Sequence, residues 1–166
     1  EEIVKFQADF PDLSVRVIDN TLRTIPSGVN CAIEASRGEI ILRLDAHSKP
    51  YPDYIENSVK VLEDGLGDNV GGVWEIQPGA ATWIAKSIAV AAAHPLGVGD
   101  ALYRHAKHAA EVDTVPFGSF KRELVDRIGL FDESLLTNED YEFNTRIRRA
   151  GGRIWLDPTI RSIYFA

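Results

Sequence analysis

Asp45, Ala46 and His47 stand where a mostly apolar run, 39–44, gives way to polar residues. If that run is a strand, its alternation places Asp45 and His47 on one side, and the small Ala46 leaves room for a ligand. A carboxylate and an imidazole can hold one divalent cation and leave positions open for phosphate oxygens. Magnesium favours oxygen ligands, whereas an imidazole shifts the preference toward manganese. The same residues also fit a plain turn before Pro50, with His47 in solvent.

A second ionisable pair, Glu139 and Asp140, opens an amphipathic segment that extends to Ala150. A carboxylate at a helix start is held rigidly, and partial burial raises its pKa toward the range that a general base needs. Asp140 is therefore predicted to take a proton from a reacting hydroxyl. Helix capping and the helix dipole explain the same acidic residues without any function. Glu142 and Arg146 have the spacing of a solvent-exposed ion pair.

Composition limits the classes of partner. The 166 residues suffice for one domain with a core, and 18 basic against 25 acidic residues give a formal charge of −7. That charge argues against a broad nucleic-acid-binding surface. The single Cys31 excludes an internal disulfide and favours a reducing compartment, so we expect a cytoplasmic protein. The chain has no Met and begins in mid-pattern, which predicts one incomplete domain, 1–166, of a longer protein.

The elements that must position these clusters follow from apolar periodicity. Helices are predicted at 1–10, 27–37, 52–63, 83–93, 121–128 and 138–150, and strands at 14–18, 39–44, 70–76, 114–120, 153–156 and 160–165. The segment 97–112 fits no pattern. Strand 39–44 is apolar enough to be covered on both faces. Helix 83–93 fits core packing and also a position at a membrane surface, while the stretch 83–98 is too broken to span a bilayer.

Alternating strands and helices predict an α/β fold with a mainly parallel, mixed sheet flanked by helices. Ligands bind beyond the carboxyl ends of the strands in such sheets. Asp45 lies at one of these ends.

The ordered set of motifs resembles family 2 glycosyltransferases, in particular the bacterial succinoglycan and exopolysaccharide type. The matching segments are Gly28-Val29-Asn30-Cys31-Ala32, 35–41, Leu44-Asp45-Ala46-His47, 115–120, 128–133 and 138–143, followed by Arg146, Ala150-Gly151 and Leu156-Asp157-Pro158. The order and spacing extend over nearly the whole chain. The resemblance implies a GT-A, or nucleotide-diphospho-sugar transferase, fold and inverting sugar transfer.

The resemblance also implies roles for individual residues. It places Asp45 and His47 at the metal and diphosphate motif, where Asp-X-Asp is usual, and Asp140 at the catalytic base. It places Gly28, Asn30 and Asp45 beside the donor, and Phe117, Gly118, Ser119 and Glu139 beside the acceptor. The implied partners are a nucleotide-sugar donor, with a UDP-sugar expected, Mn or Mg, and a glycan or lipid-linked acceptor. Association of the whole protein with the cytoplasmic face of a membrane is also expected.

Two parts that the family usually has are not found in the sequence. The first nucleotide-binding strand with its Asp-rich turn would precede Glu1, and the Gln-X-X-Arg-Trp segment does not occur. We therefore expect a partial fold, inactive as residues 1–166 alone.

Two other readings of the chain stay open at this point. A nucleotidyltransferase also sets an acidic strand end beside a metal, although its early Gly-rich phosphate loop is not found. A domain that binds a nucleotide or glycan without catalysis fits the same motifs.

Overall fold

The protein is described by a computed structural model over residues 2–94 and 101–166. Within these residues the helices are α1 (Glu2–Asp9), α2 (Ile25–Ala35), α3 (Tyr54–Glu63), α4 (Trp83–Ala93), α5 (Arg122–Ile128) and α6 (Glu139–Arg149), with a 3-10 turn at Leu102–Arg104. The strands are β1 (Ile40–Leu42), β2 (Ser48–Pro50), β3 (Asn69–Gln77), β4 (Ala110–Glu111), β5 (Ser119–Lys121) and β6 (Ile154–Phe165). Residues 95–100, which include the first four residues of the segment 97–112 that fits no pattern, lie outside this description.

The strands form one mixed sheet in the order β1-β5-β3-β6-β2, with β4 paired to β6. The long central pair β3 and β6 is parallel. The other four pairings of the described strands are antiparallel. The predicted α/β fold with a mixed, helix-flanked sheet is confirmed, but the expected predominance of parallel pairing is wrong. The short strands pair antiparallel with their neighbours. Apolar periodicity could not predict this, because it carries no information on the relative direction of two paired strands.

Two predicted strands merge into the single strand β6. Its pairing with β3 jumps from Gly71 opposite Leu156 to Val73 opposite Arg161, so the residues around Pro158 are accommodated in a local irregularity. Gly72 lies at this jump, where an added Cβ would meet the Ile160 carbonyl oxygen at 1.7 Å. The predicted strand 14–18 is wrong, because those residues form neither helix nor strand.

Local capping chemistry explains where two helices begin. The Thr24 side chain accepts a hydrogen bond from the Ser27 amide at the start of α2, and Thr82 does the same for Ala85 at the start of α4. Both are ordinary N-cap contacts. The helix α6 begins differently, since Asn138 is left-handed (φ 60°) and its side chain makes no capping hydrogen bond. The Asn138 side chain therefore does not cap α6.

Helices cover the sheet on two sides and divide the core. One cluster joins α2, α5 and α6 to the sheet and includes Phe120, Phe143 and Ile154. The other lies under α3 and includes Tyr54 and Val70.

Strand β1 is an edge strand whose neighbour in the described sheet is β5. Its three residues are only half-buried. The prediction that this strand is covered on both faces is therefore wrong.

Helix α4 is almost entirely exposed. Trp83 is 76% accessible and Val90 69%, and Ala89 is its one buried residue. Core packing does not account for this apolar surface. Over the described ranges, no helix combines the length and hydropathy that crossing a bilayer requires.

Candidate functional site

The first ionisable cluster lies in a turn that follows β1. The Ser48 amide and hydroxyl both donate to the Asp45 carbonyl oxygen, at 3.0 and 2.8 Å. Ala46 and His47 form the turn, and β2 begins at Ser48. The strand alternation predicted for Asp45 and His47 is therefore wrong, because no extended backbone connects them.

The His47 ring lies against aromatic side chains from other parts of the chain. It meets the Tyr164 ring edge-on at 4.8 Å between centroids, and the Phe117 ring lies 6.3 Å away. Tyr164 in turn stacks on Trp74 at 4.2 Å and 11°. The imidazole remains exposed, so aromatic contact orients it while leaving it open to a ligand.

The second cluster is fixed by the core contacts of α6. Phe143 and Ile147 are fully buried, and Phe143 stacks on Phe131 at 4.2 Å. These contacts set the rotation of the helix about its axis, which turns Glu139 inward at 5% exposure and leaves Asp140 half-buried. The predicted pair of Glu142 and Arg146 is present at 2.7 Å.

Arg43 joins the two clusters. Its Nε and Nη2 donate to the two carboxylate oxygens of Asp45 at 3.0 and 3.3 Å. Its Nη1 lies 3.0 Å from Glu139 Oε1. Arg43 and Glu139 are both mostly buried, with side-chain exposures of 12% and 7%. The two stretches that the sequence singled out, 94 residues apart (139 − 45), therefore meet through one guanidinium.

The charge environment distinguishes Asp140 from an ordinary surface carboxylate. Burial raises the pKa of Asp140, the charge of Glu139 raises it further, and Arg43 opposes both. Burial also works against the charged form of Arg43, but the hydrogen bond and charge of Asp45, aided by Glu139, outweigh it and raise the pKa of the guanidinium. The site thus contains a permanent cation and a carboxylate that binds its proton more tightly than an ordinary surface Asp does.

A cavity of about 740 Å³ opens between α2 and β1, and both Gly28 and Asp45 line it. Its polar and charged lining residues are Asn20, Arg23, Thr24, Ser36, Arg43 and Asp45, and the rest of its wall is mostly apolar. Asn20 accepts from Ser27 Oγ at 2.7 Å and donates to the Thr24 carbonyl at 2.8 Å. Two predicted donor residues therefore share one cavity, and Asn20 is a polar lining residue that the sequence reading missed.

The side chain of Asn30, predicted beside the donor, is directed elsewhere. Asn30 is buried, exchanges two hydrogen bonds of 2.9 Å with the Phe131 backbone and donates to Glu133 at 2.8 Å. These contacts tie α2 to the loop that precedes α6. The Asn30 amide is therefore engaged by protein groups, and its predicted place beside the donor stays a prediction.

The predicted acceptor loop is well defined. Phe117 is buried with a positive φ of 49°, which a bulky residue adopts only under tertiary constraint. Gly118 accepts a hydrogen bond from the Arg43 amide at 3.3 Å, and a Cβ there would clash with Asn69. Ser119 is fully buried inside β5. The loop thus lies beside Arg43, whereas the Ser119 side chain is buried in the protein interior.

Among the described residues, few side chains are placed to bind a divalent cation at this site. In residues 2–94 and 101–166, no group of three or more His, Cys, Asp or Glu side chains could hold a metal ion. Asp45 offers a half-buried carboxylate, whose two oxygens each accept one hydrogen bond from Arg43, and His47 an exposed imidazole. Such a pair suits a cation that brings further ligands, such as the phosphate oxygens of a nucleotide, better than a closed structural site.

Sequence comparison identifies the protein family that this chain resembles. The model of the family described as glycosyl transferase family 2 matches residues 1–129. The succinoglycan biosynthesis protein ExoA of Rhizobium meliloti is 29% identical over 157 residues, covering 93% of this chain and 47% of the relative. The dolichyl N-acetyl-alpha-D-glucosaminyl phosphate 3-beta-D-2,3-diacetamido-2,3-dideoxy-beta-D-glucuronosyltransferase of Methanococcus voltae is 25% identical over 159 residues, 92% of this chain and 48% of the relative. The chain spans about half the length of these relatives.

Structural comparison agrees on the fold. The mannosyltransferase PcManGT of Pyrobaculum calidifontis, solved with GDP-Man and Mn²⁺, superposes with a TM-score of 0.69 at 22% identity, over 97% of this chain and 42% of that chain. At this identity the likeness concerns the fold alone. It confirms the predicted GT-A architecture.

Proposed function

This chain belongs to glycosyltransferase family 2, and on that premise we propose that the whole protein transfers a sugar from a nucleotide-diphosphate donor with inversion of configuration. The acceptor is a glycan or a lipid-linked sugar in polysaccharide biosynthesis. The observation that supports the proposal most strongly is that Asp45 and Glu139 both form ion pairs with Arg43. This contact puts a candidate donor carboxylate and the acidic pair of α6 beside one another.

The proposed chemistry is a single displacement. The oxygen of the acceptor hydroxyl forms a bond to the anomeric carbon of the donor sugar while Asp140 accepts the proton of that hydroxyl. At the same time the bond between the anomeric carbon and the diphosphate breaks, and the nucleoside diphosphate leaves. A divalent cation at Asp45 and His47 would supply positive charge to the departing diphosphate. Attack from the face opposite the leaving group inverts the configuration. Positioning and charge stabilisation then account for most of the rate.

The donor and acceptor occupy different sides of Arg43 in this proposal. The part of the α2–β1 cavity lined by Gly28 and Asp45 receives the nucleotide diphosphate. The acceptor lies toward Phe117, Gly118 and Glu139, and Ser119 contributes through the backbone geometry of the loop. We propose a UDP-sugar as the donor. The solved neighbour with GDP-Man makes a guanine nucleotide the second donor class to test.

The proposed acceptor class has two supports. The Methanococcus relative is named for a dolichyl-linked sugar phosphate. In this chain, the exposed apolar helix α4 lies against β3, and Arg104, which sits over the Trp74 ring at 5.5 Å, donates to the Ala92 carbonyl at the end of α4. An apolar surface connected to the aromatic cluster around His47 suits a lipid-linked acceptor at the cytoplasmic face of a membrane.

Product analysis tests the proposed function. The whole protein is incubated with Mn²⁺, a lipid-linked sugar fraction and a panel of UDP-glucose, UDP-galactose, UDP-N-acetylglucosamine and GDP-mannose. Release of nucleoside diphosphate together with a labelled acceptor supports sugar transfer. Pyrophosphate release would indicate a nucleotidyltransferase, and nucleotide binding without any product would indicate a binding domain.

The raised pKa of Asp140 predicts a pH dependence. Because the base must be ionised, kcat/KM should fall on the acidic side, with an apparent pKa higher than the ordinary pKa of an Asp side chain. The contribution of Asp140 to the free energy of unfolding should depend on pH in the opposite direction, decreasing as kcat/KM increases. The folded state holds this proton more tightly than the unfolded state, so the contribution of Asp140 is present at low pH and is lost as pH rises through its folded pKa. A pH–rate profile, with urea unfolding at the same pH values, measures both effects.

A further inference from the structure

The position of Arg43 in the site is unusual for a residue at the end of a strand. The run 39–44 is otherwise mostly apolar, yet the Arg43 side chain is 12% exposed and has carboxylates on two sides. Within the described residues, Arg43 is the only cationic side chain within 4.0 Å of either Asp45 or Glu139. The buried charge of Glu139 therefore depends on this one partner.

The geometry of the contacts constrains both carboxylates. Asp45 is held through two parallel hydrogen bonds, from Nε and Nη2, a fork that fixes the plane of the carboxylate. Glu139 is held by proximity of charge, because the buried Nη1 lies 3.0 Å away without hydrogen-bond alignment. The contact with Asp45 therefore sets the orientation of that carboxylate, and the contact with Glu139 sets the distance between Glu139 and the guanidinium.

The backbone of Arg43 adds a third connection. Its amide donates to the Gly118 carbonyl oxygen at 3.3 Å, immediately before β5. The preceding residue, Leu42, pairs with Ser119 in the sheet. One residue thus links the turn after β1, the start of α6 and the loop around Phe117.

We propose that Arg43 is a positioning residue that locks Asp45 and Glu139, and with Glu139 the adjoining Asp140, into one geometry. This inference rests on the proposed function and deepens it. Arg43 need not touch the substrate. It holds the group that meets the donor diphosphate at a fixed distance from the group that takes the acceptor proton.

Arg43→Met in the whole protein tests the role in turnover. A misplacement of about 1 Å can cost roughly 10²-fold in rate, so we expect kcat to fall about 100-fold while the donor KM stays within about threefold. Arg43→Lys keeps the positive charge but cannot form the two parallel hydrogen bonds to Asp45, so its kcat should lie about tenfold above that of Arg43→Met and about tenfold below wild type. The matched control is Arg148→Met, which breaks an ion pair of 2.8 Å with Asp113 on the outer side of α6 and should retain wild-type kinetics. A kcat for Arg43→Met within about threefold of wild type would overturn the proposal.

An unfolding cycle tests the link without donor, metal or turnover. Arg43→Met, Glu139→Gln and the double variant are compared by urea unfolding. Residues in direct contact are coupled, so the double variant should retain a folding equilibrium constant roughly 3-fold or more above the value expected from the two single variants. Additive effects would overturn the link.

These two tests separate the failure of this inference from failure of the proposed function. If the wild-type protein releases no nucleoside diphosphate from any donor in the panel, the proposed function fails and the unfolding cycle still decides the Arg43 link. If Arg43→Met does not fold, Arg43→Lys decides the kinetic part. A kcat about tenfold below wild type with retained donor KM supports positioning, and wild-type kcat contradicts it.

Discussion

Asp140→Asn is expected to lower sugar transfer by the whole protein by roughly 10² to 10⁴-fold, the usual contribution of a general base. The variant keeps the size and hydrogen-bonding capacity of the side chain but cannot take the proton. Donor binding should persist, because Asp45 and the α2–β1 cavity are unchanged. Transfer rates and the affinity for UDP with Mn²⁺, measured by titration calorimetry, separate the two effects.

The control for Asp140→Asn is Asp113→Asn, which neutralises an exposed carboxylate paired with Arg148 and should keep wild-type turnover. Stability provides a second check. The pKa of Asp140 is raised by burial, so removing its charge should leave the protein at least as stable as wild type at neutral pH. Normal transfer by Asp140→Asn would exclude Asp140 as the base.

Asp45→Asn is expected to weaken Mn²⁺-dependent UDP binding by roughly 30-fold or more. The bound cation would lose a charged protein partner, and truncating one partner of such a charge contact costs about 2 kcal/mol or more. Arg43 would still pair with Glu139 at 3.0 Å, so the acidic pair of α6 should remain in place. Calorimetric titration with UDP, in the presence and absence of Mn²⁺, measures the effect.

The control for Asp45→Asn is Asp64→Asn at the end of α3, an exposed carboxylate that should bind UDP as the wild type does. If Asp45→Asn binds UDP with Mn²⁺ as tightly as the wild type, Asp45 does not contribute to a metal–diphosphate site.

Most helices could be predicted because their signals are local. Thr24 and Thr82 cap helices that follow them directly, and the apolar spacing of α6 places Phe143 and Ile147 in the core. These features depend on residues three or four positions apart, which a sequence displays openly. Sheet direction is different, because it depends on which distant strands meet.

The candidate site was predictable in its residues but not in its geometry. Asp45 and the Glu139–Asp140 pair were recognised by residue type and by resemblance, and they lie on opposite sides of Arg43. The signal for Arg43 is present in the sequence as the one charged residue of the stretch 40–44, but its two carboxylate partners follow only from the folded chain. The strand argument for His47 failed because a turn intervenes.

Asn30 and Ser119 show a second limit of sequence reading. Both belong to motifs that resemble functional segments of the family, yet Asn30 bonds the Phe131 backbone and Ser119 is buried in β5. The burial of Asn30 is explained by the Phe131 backbone groups, which need partners, whereas the buried Ser119 hydroxyl has no hydrogen-bond partner among the described residues. Residue type alone does not separate that need from ligand binding.

The most direct test of the account is the position of manganese in crystals of the whole protein soaked with UDP and Mn²⁺, located by its anomalous scattering. The account predicts one peak bound by the Asp45 carboxylate and by the diphosphate of UDP, with Asp140 facing the end of the diphosphate where the sugar is attached. A manganese–UDP complex bound elsewhere, with Arg43, Asp45 and Glu139 remaining as a closed ion-pair cluster, would contradict it.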